Sequence, residues 1–575
     1  VLHKILERKL QQAVAAVLPE AGLASVLVRP CPDPKFGDYQ SNALMGLAKA
    51  RKMNPRQLAT DVAAKLDIAE WCEPVTVAGA GFLNFKLKPS AMAGALQEAA
   101  RGGPLLFDKA EKPRVVVIDF SSPNVAKPMH VGHIRSTILG ESLARILRLL
   151  GHRVVTDNHI GDWGTQFGKL LVGWKTILNR EALKADAIDE MERLYKAINS
   201  ACEADPKVLE SARQELVKLQ SGDAENLQIW KEMIALSESQ FLRIYTRLGI
   251  SFDYQLGESY YNTRLQPVVR DLIERGLAKP SEGAVVVYFE DQPDLKEHPA
   301  MVQKSDGGFN YTTTDLATLQ FRDEGGTWNA RPDETIYVTD GRQQLHFKQL
   351  FNIFRRWHPE SKMKLAHVWF GSILGEDGRP FKTRSGETVR LEELLDEAEE
   401  RAFKVVAEKN SELAADKQKE IARVVGLGAI KYADLSQNRQ SDYIFSWDKM
   451  LALQGNSMPY LLNAYTRIRS IFRKGGESAT ANGEIVLVEA EEVALARHML
   501  NFGFALEAAA DDYRPNFICN YLFELAGHYA RFYENCPVLT SEGSTRASRL
   551  ALCDLTAKVL KQGLDVLGIE TTEQM

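Results

Sequence analysis

Residues 115–133 read Val115-Val116-Val117-Ile118-Asp119-Phe120-Ser121-Ser122-Pro123-Asn124-Val125-Ala126-Lys127-Pro128-Met129-His130-Val131-Gly132-His133. The opening run is continuously apolar up to Asp119, the pattern of a parallel strand buried on both faces. After a polar loop, a helix is expected over about 134–150. Its apolar residues Ile138, Leu143, Ile146, Leu147 and Leu150 oppose Arg135, Glu141, Arg145 and Arg148. Gly151 ends it, and Arg153-Val154-Val155-Thr156-Asp157 reads as the next strand. Strand, helix and strand form a βαβ unit, from which doubly wound nucleotide-binding sheets are built.

The loop between them lies at the carboxyl end of a parallel strand and at a helix start, where backbone N–H groups and the helix dipole attract phosphate. Gly132 lets a ligand approach the backbone closely. His130 and His133 fall on one side of the helix start, and each can donate to phosphate oxygens. Lys127 adds a mobile cation. Two other readings stay open: a metal pair, which lacks a Glu-x-x-His partner or third ligand nearby, and a purely structural helix start. Neither Gly-x-x-x-x-Gly-Lys-[Ser/Thr] nor Gly-x-Gly-x-x-Gly occurs.

Working outward, residues 1 to about 110 mix short helix and strand signals. Val75-Thr76-Val77 and Phe82-Leu83-Asn84-Phe85-Lys86-Leu87 flank a Gly79-Ala80-Gly81 turn, which suggests a small α/β domain. Residues from about 170 to 250 read as a charged helical insertion. Strand character resumes at 284–289, 335–339 and 366–370, with helices at about 312–323 and 344–357, as if the sheet were assembled from two halves around the insertion. Beyond about 390 nearly everything reads as helix, an all-α bundle. The 575 residues thus divide into an N-terminal domain (1–110), a sheet domain (113–390) and a helical block beyond it.

The formal net charge is −5, with 45% hydrophobic and 26% charged residues, ordinary for a folded soluble protein and no global sign of nucleic-acid binding. A local stripe can still track a phosphate backbone, and 455–475 carries Arg467, Arg469, Arg473 and Lys474 without an acid. Six scattered cysteines form no Cys-x-x-Cys pair, as in a reduced cytoplasmic protein with inert thiols. No stretch approaches the ~20 apolar residues of a membrane span. The first residues read as an amphipathic helix rather than a signal peptide.

His130-Val131-Gly132-His133 after a buried strand resembles the HIGH signature of class I aminoacyl-tRNA synthetases. Four residues alone are only moderately specific. The surrounding 122–129 and Gly161-Asp162-Trp163-Gly164-Thr165-Gln166-Phe167-Gly168 resemble the arginyl-tRNA synthetases, bacterial in type. Tyr311-Thr312-Thr313-Thr314-Asp315, Asp340-Gly341-Arg342-Gln343-Gln344-Leu345-His346, Lys431-Tyr432-Ala433-Asp434-Leu435-Ser436 and Leu567-Gly568-Ile569-Glu570 extend the likeness along essentially the whole chain.

The resemblance implies a class I Rossmann-like parallel-sheet catalytic domain over 113–390, a D-loop-recognising N-terminal domain over 1–110, a stem-contacting connection over 391–445 and an anticodon-binding bundle over 446–575. It implies ATP, L-arginine and tRNA(Arg) as substrates, with Mg²⁺ arriving on the ATP, in a cytoplasmic monomer. ATP would meet Pro128, His130, Gly132, His133, Phe381 and Lys382. Arginine would meet Asp119, Ser122, Asn124, His133, Tyr311, Asp315 and Gln343. Carboxylates suit a guanidinium because they accept its planar fork of donors. Asp119 could instead cap a turn, and Tyr311 could be core. A site of paired acids discriminates strongly enough that no editing domain is expected.

The second class I signature, KMSKS, departs here. The loop reads Asp377-Gly378-Arg379-Pro380-Phe381-Lys382-Thr383-Arg384-Ser385-Gly386, so its critical lysine falls on Thr383. Lys127, Lys382 and Arg384 are the cations left to stabilise pyrophosphate, unless the loop is only a solvated turn. For tRNA the resemblance points to Phe82, Asn84, Tyr465, Arg467 and Arg469, with Phe82 and Tyr465 equally readable as core. Two rivals stand beside this: an adenylate-forming enzyme without RNA, and an inactive tRNA-binding paralogue. The helical C-terminal block argues against the first, and intact His130, His133 and Lys127 against the second.

Overall fold

The structure is a computed structural model, describing residues 1–382 and 388–575. It divides into two compact units. One comprises Ala110–Leu451 with Val566–Ile569, and the other Val1–Lys109 with Ala452–Asp565 and Glu570–Met575.

The first unit is built on a four-stranded parallel sheet, in the order Lys364–His367, Glu334–Tyr337, Val115–Asp119, Arg153–Asp157. The chain leaves Val115–Asp119 for Arg153–Asp157 on one side, and later returns to Glu334–Tyr337 on the other. Between the first and third strands lies the topological switch point, where such sheets bind ligands beyond their carboxyl ends. Tyr337 is in register with Asp119 there. Helices Tyr311–Asp323 and Gln344–Trp357 pack into a core with Val117, Leu316, Leu350, Phe354 and Trp357.

Two expectations need correction. The segment at 284–289 does form a strand, Ala284–Val287, but it belongs to a separate antiparallel sheet between Lys279–Ser281 and Ala300–Gln303. An apolar run alone does not distinguish a parallel from an antiparallel partner. The helix Val131–Leu149 also lacks the solvated face expected at Arg135 and Glu141, which are both buried. Arg135 Nε lies 3.1 Å from Asp434 Oδ2, and its Nη1 donates to the carbonyls of Gly371 and Ser441. The helix Ala415–Leu435, which carries Asp434, therefore covers that face with a paired charge. The insertion is helical as read, from Gln166–Thr176 to Ala224–Leu248.

In the second unit, an antiparallel sheet in the order Arg29–Pro30, Tyr39–Ser41, Phe82–Phe85, Thr76–Ala78 shares its unit with the C-terminal helices. Arg497 pairs with buried Asp38, and Gln97 Oε1 accepts from the Ile485 N–H at 2.6 Å. Five of the six cysteines are buried, and burial pushes the Cys72 and Cys553 thiols up to about 12. Among the described residues no helix is long and apolar enough to cross a membrane.

Candidate active site

The Val115–Asp119 strand delivers its chain into a loop that is strained and tightly held. Ser121, Ser122 and Ala126 all have positive φ, at 71°, 48° and 62°. Such conformations cost roughly 1–3 kcal/mol each in non-glycine residues, and persist where the surroundings over-determine them. Here the Ser121 N–H donates to Ser136 Oγ, the Ser122 N–H to Asn158 Oδ1 and the Ala126 N–H to Ser237 Oγ. Ser122 Oγ lies 3.1 Å from Asp119 Oδ1. Asn124 is exposed and packs Oδ1 against Gly161, where a Cβ would come within 2.3 Å of that oxygen. The Gly161-Asp162-Trp163-Gly164 segment is thereby joined to the loop.

His130 and His133 form a capping box at the start of Val131–Leu149. His130 Nδ1 accepts the Gly132 N–H at 3.1 Å, and His133 Nδ1 accepts the His130 N–H at 3.1 Å. With both Nδ1 atoms accepting, each neutral ring carries its hydrogen on Nε2, a donor left for a ligand. Burial lowers both pKa values, that of His133 to about 3, which keeps the rings in that neutral state. The rings are 4.1 Å apart. Lys127 is exposed, its Nζ 5.3 Å from the Tyr195 ring of the insertion, and its charge helps to lower the pKa of His130.

The segment after the second signature loop runs beside the first. The Val131 N–H donates to Val389 O, and the Leu391 N–H to Met129 O, both at 2.9 Å. Phe381 stacks on Phe445 at 4.7 Å, and Lys382 is exposed. Thr383 and Arg384 lie outside the described residues. The sequence reading missed one further cation: exposed Arg342, salt-bridged to Asp340 at 2.8 Å, is close enough to lower the pKa of His130.

Tyr311 and Asp315 occupy one face of Tyr311–Asp323 and meet the same side chain. His346 Nε2 lies 2.6 Å from Asp315 Oδ2, and the exposed Tyr311 ring meets the His346 ring edge-on at 4.8 Å. Asp119 is buried, and its Oδ2 already holds a guanidinium, that of Arg322, whose Nη2 also lies 2.8 Å from Asp157 Oδ2. Arg322, Asp157, His159, His346 and Glu258 were not singled out in the sequence, although His346 closes a quoted motif. Burial pushes the Glu258 carboxyl up to about 7, with His159, Asp315 and Asp162 in electrostatic reach. Gln343 is exposed at the end of the turn Gly341–Gln343.

The tRNA candidates are in the second unit. Phe82 is half-buried and Asn84 buried. Tyr465 is 3% exposed with its hydroxyl donating to Glu573 Oε1, so it offers no face for a base to stack on. Glu573 also lies 2.7 Å from Arg469 Nε, so the basic stripe meets an acid distant in sequence. Arg467 lies over the Tyr533 ring. Among the described residues no group of three or more His, Cys, Asp or Glu could hold a metal ion.

The sequence profile of the catalytic domain of the tRNA synthetases class I (R) matches residues 97–447, more than half of the chain. The chain belongs to the arginyl-tRNA synthetase family. A DALR anticodon binding domain profile matches 461–575, and an arginyl tRNA synthetase N terminal domain profile matches 3–87. The chain is 45% identical to an arginine–tRNA ligase of Chromobacterium violaceum over 100% of both chains. It is 45% identical to one of Picosynechococcus, covering 96% of this chain and 95% of that one. The arginyl-tRNA synthetase structure of Thermus thermophilus superposes with a TM-score of 0.84 at 26% identity over 100% of both chains. That of Plasmodium falciparum gives 0.83 at 28%, covering 100% of this chain and 99% of that one.

Proposed function

We propose that this chain is an arginine–tRNA ligase. It activates L-arginine with ATP to arginyl-adenylate and passes the arginyl group to the 2′-OH of the terminal adenosine of tRNA(Arg). The observation that carries the reading is the capping box at the start of Val131–Leu149, in which both Nδ1 atoms accept backbone N–H groups and each neutral ring keeps an Nε2–H to donate. The arginine carboxylate attacks the α-phosphorus of ATP, and pyrophosphate leaves. His130, His133, the helix N-terminus and Lys127 stabilise the charge growing on the phosphoryl oxygens, which is positioning and electrostatics rather than covalent catalysis. Pro128, Gly132, Phe381 and Lys382 border the same nucleotide position, and Arg384 is a further candidate cation in the loop.

Asp315 accepts the arginine guanidinium with Tyr311 beside it, while Ser122, Asn124 and Gln343 serve its amino and carboxylate groups. Asp119 acts on the site together with Arg322. Magnesium comes with the nucleotide, held by phosphates and water. The tRNA is held by residues 1–110, through half-buried Phe82 rather than buried Asn84, by 391–445 on the stem, and by the bundle 446–575, through Arg467 and Arg469. The enzyme works as a cytoplasmic monomer whose first step needs bound tRNA.

The test is arginine-dependent exchange of pyrophosphate into ATP, with and without tRNA(Arg). Exchange with arginine and not with lysine is expected, and only when tRNA is bound. No exchange under either condition overturns the enzyme, and exchange with a different amino acid overturns the arginine assignment.

A further inference from the structure

Asp315 stands between two imidazoles. On one side His346 Nε2 is 2.6 Å from Oδ2. On the other, His159 Nε2 is 4.0 Å from Oδ1, beyond hydrogen-bond reach. The second nitrogen of His159 settles its tautomer, since Nδ1 is 2.8 Å from the Leu256 carbonyl oxygen. A carbonyl only accepts, so Nδ1 carries a hydrogen in either charge state. In the neutral ring, Nε2 is therefore a bare acceptor. It is buried and has no hydrogen-bond partner, so it is an acceptor left unmet in the interior.

Two acceptors thus face each other across 4.0 Å, one of them charged. A planar cation with several N–H groups in a fixed fork can donate to both at once. An ammonium group is a compact point charge without that fork. A guanidinium therefore matches the pair, as it matches the requirement that lysine be refused.

We propose that His159 Nε2 accepts a hydrogen bond from the guanidinium of bound arginine, so that arginine binds only to the neutral His159 imidazole. The inference rests on Asp315 being the arginine carboxylate. Where the ring is protonated, its proton goes to solvent as the substrate's cation takes the place beside Asp315.

The charges around His159 fit this exchange. Burial works to lower its pKa, but Asp119, Asp315 and Asp157 outweigh burial and Arg322, and the net shift is upward. The groups facing it are Asp119 on the central strand, Asp157 on the adjacent one, Asp315 and Arg322 on one helix, and Tyr261, Asp162 and Glu258 around the ring. His346 reaches the same carboxylate from its own helix. Glu258 also titrates near neutrality. It couples to arginine binding with the same sign, so the test must separate the two.

The experiment measures the KM for arginine across about pH 6 to 8.5 in pyrophosphate exchange with tRNA(Arg), and arginine binding calorimetry in two buffers of different ionisation enthalpy. For the natural enzyme, proton release should be seen, and log KM should rise towards about one unit per pH unit as pH falls below the His159 pKa. H159Q keeps an acceptor but does not titrate, so its pH slope should flatten whatever its affinity, with the remainder lost in H159Q/E258Q. H159L removes the acceptor and should raise the arginine KM at least ~10-fold without raising that for ATP. A natural enzyme that releases no proton, or an H159Q slope equal to the natural one, overturns the proposal. Should H159L fail to fold, H159Q still decides. A D315N enzyme with normal arginine KM would overturn the underlying site reading instead.

Discussion

A Cβ on Gly132 would lie 2.8 Å from Cε1 of the His130 imidazole. The glycine of the signature thus keeps room for its own neighbour's ring as well as for a ligand. Ala is up to ~1 kcal/mol better than Gly inside a helix, so Gly132→Ala should leave the thermal midpoint unchanged or slightly raised. The displaced ring should nevertheless lower arginine-dependent pyrophosphate exchange about 10²-fold, the cost of a ~1 Å misplacement. Unchanged exchange would show that the position of the His130 ring is unimportant.

Lys127 is the exposed cation that precedes the signature, and Thr383 offers no charge in its place. Lys127→Ala should slow adenylate formation at least ~10²-fold, as expected for one preorganised charge at a transition state. Single-turnover exchange measures this. A near-natural rate would transfer the role to Lys382, Arg384 or Arg342, each testable by the same substitution.

Asp315→Asn keeps the shape of the side chain and removes the charge that the proposed site offers to the guanidinium. The KM for arginine should rise at least ~10²-fold with that for ATP little changed, because the loss falls on a charge-assisted hydrogen bond. An equal loss in both constants would point to a collapsed site.

Arg322 is fully buried between Asp119 and Asp157. Arg322→Met should destabilise the chain by about 3–5 kcal/mol, because two carboxylates are left unpaired in the interior. Urea denaturation at pH 7 would register it. Restoring a stable fold by adding Asp157→Asn would identify stranded charge as the cause.

Acid should weaken the fold early. His3 and His133 are lowered by burial to about 3, and His367 and His528 to about 4, from an ordinary 6.5. The unfolded chain binds these protons at higher pH than the folded one does. Stability should therefore be full above about pH 6.5 and fall as pH drops towards 4 and 3. A denaturation midpoint that stays constant between pH 7 and pH 4.5 would contradict this.

The sequence alone determined the elements whose patterns are local. Val115–Asp119, the helix after it and the helical insertion follow from apolar run, period and length, and Tyr311 and Asp315 share a face because they are four residues apart. The place of His130 and His133 at a helix start was legible too, though not the reciprocal bonds their Nδ1 atoms make there. What distant segments do to one another was decided only by the tertiary structure. Arg135 and Glu141 fit a solvated face until Ala415–Leu435 covers it, and Ala284–Val287 is drawn into another sheet by partners that lie outside its own pattern. Asp119 gives no sign in the sequence of the Arg322 that holds it, and the basic stripe gives none of Glu573. In its neutral form His159 presents a bare Nε2 only because Leu256, far along the chain, fixes the hydrogen on Nδ1. Periodicity records which face is buried, while the partner of a buried charge depends on which residues the fold brings within a few ångströms.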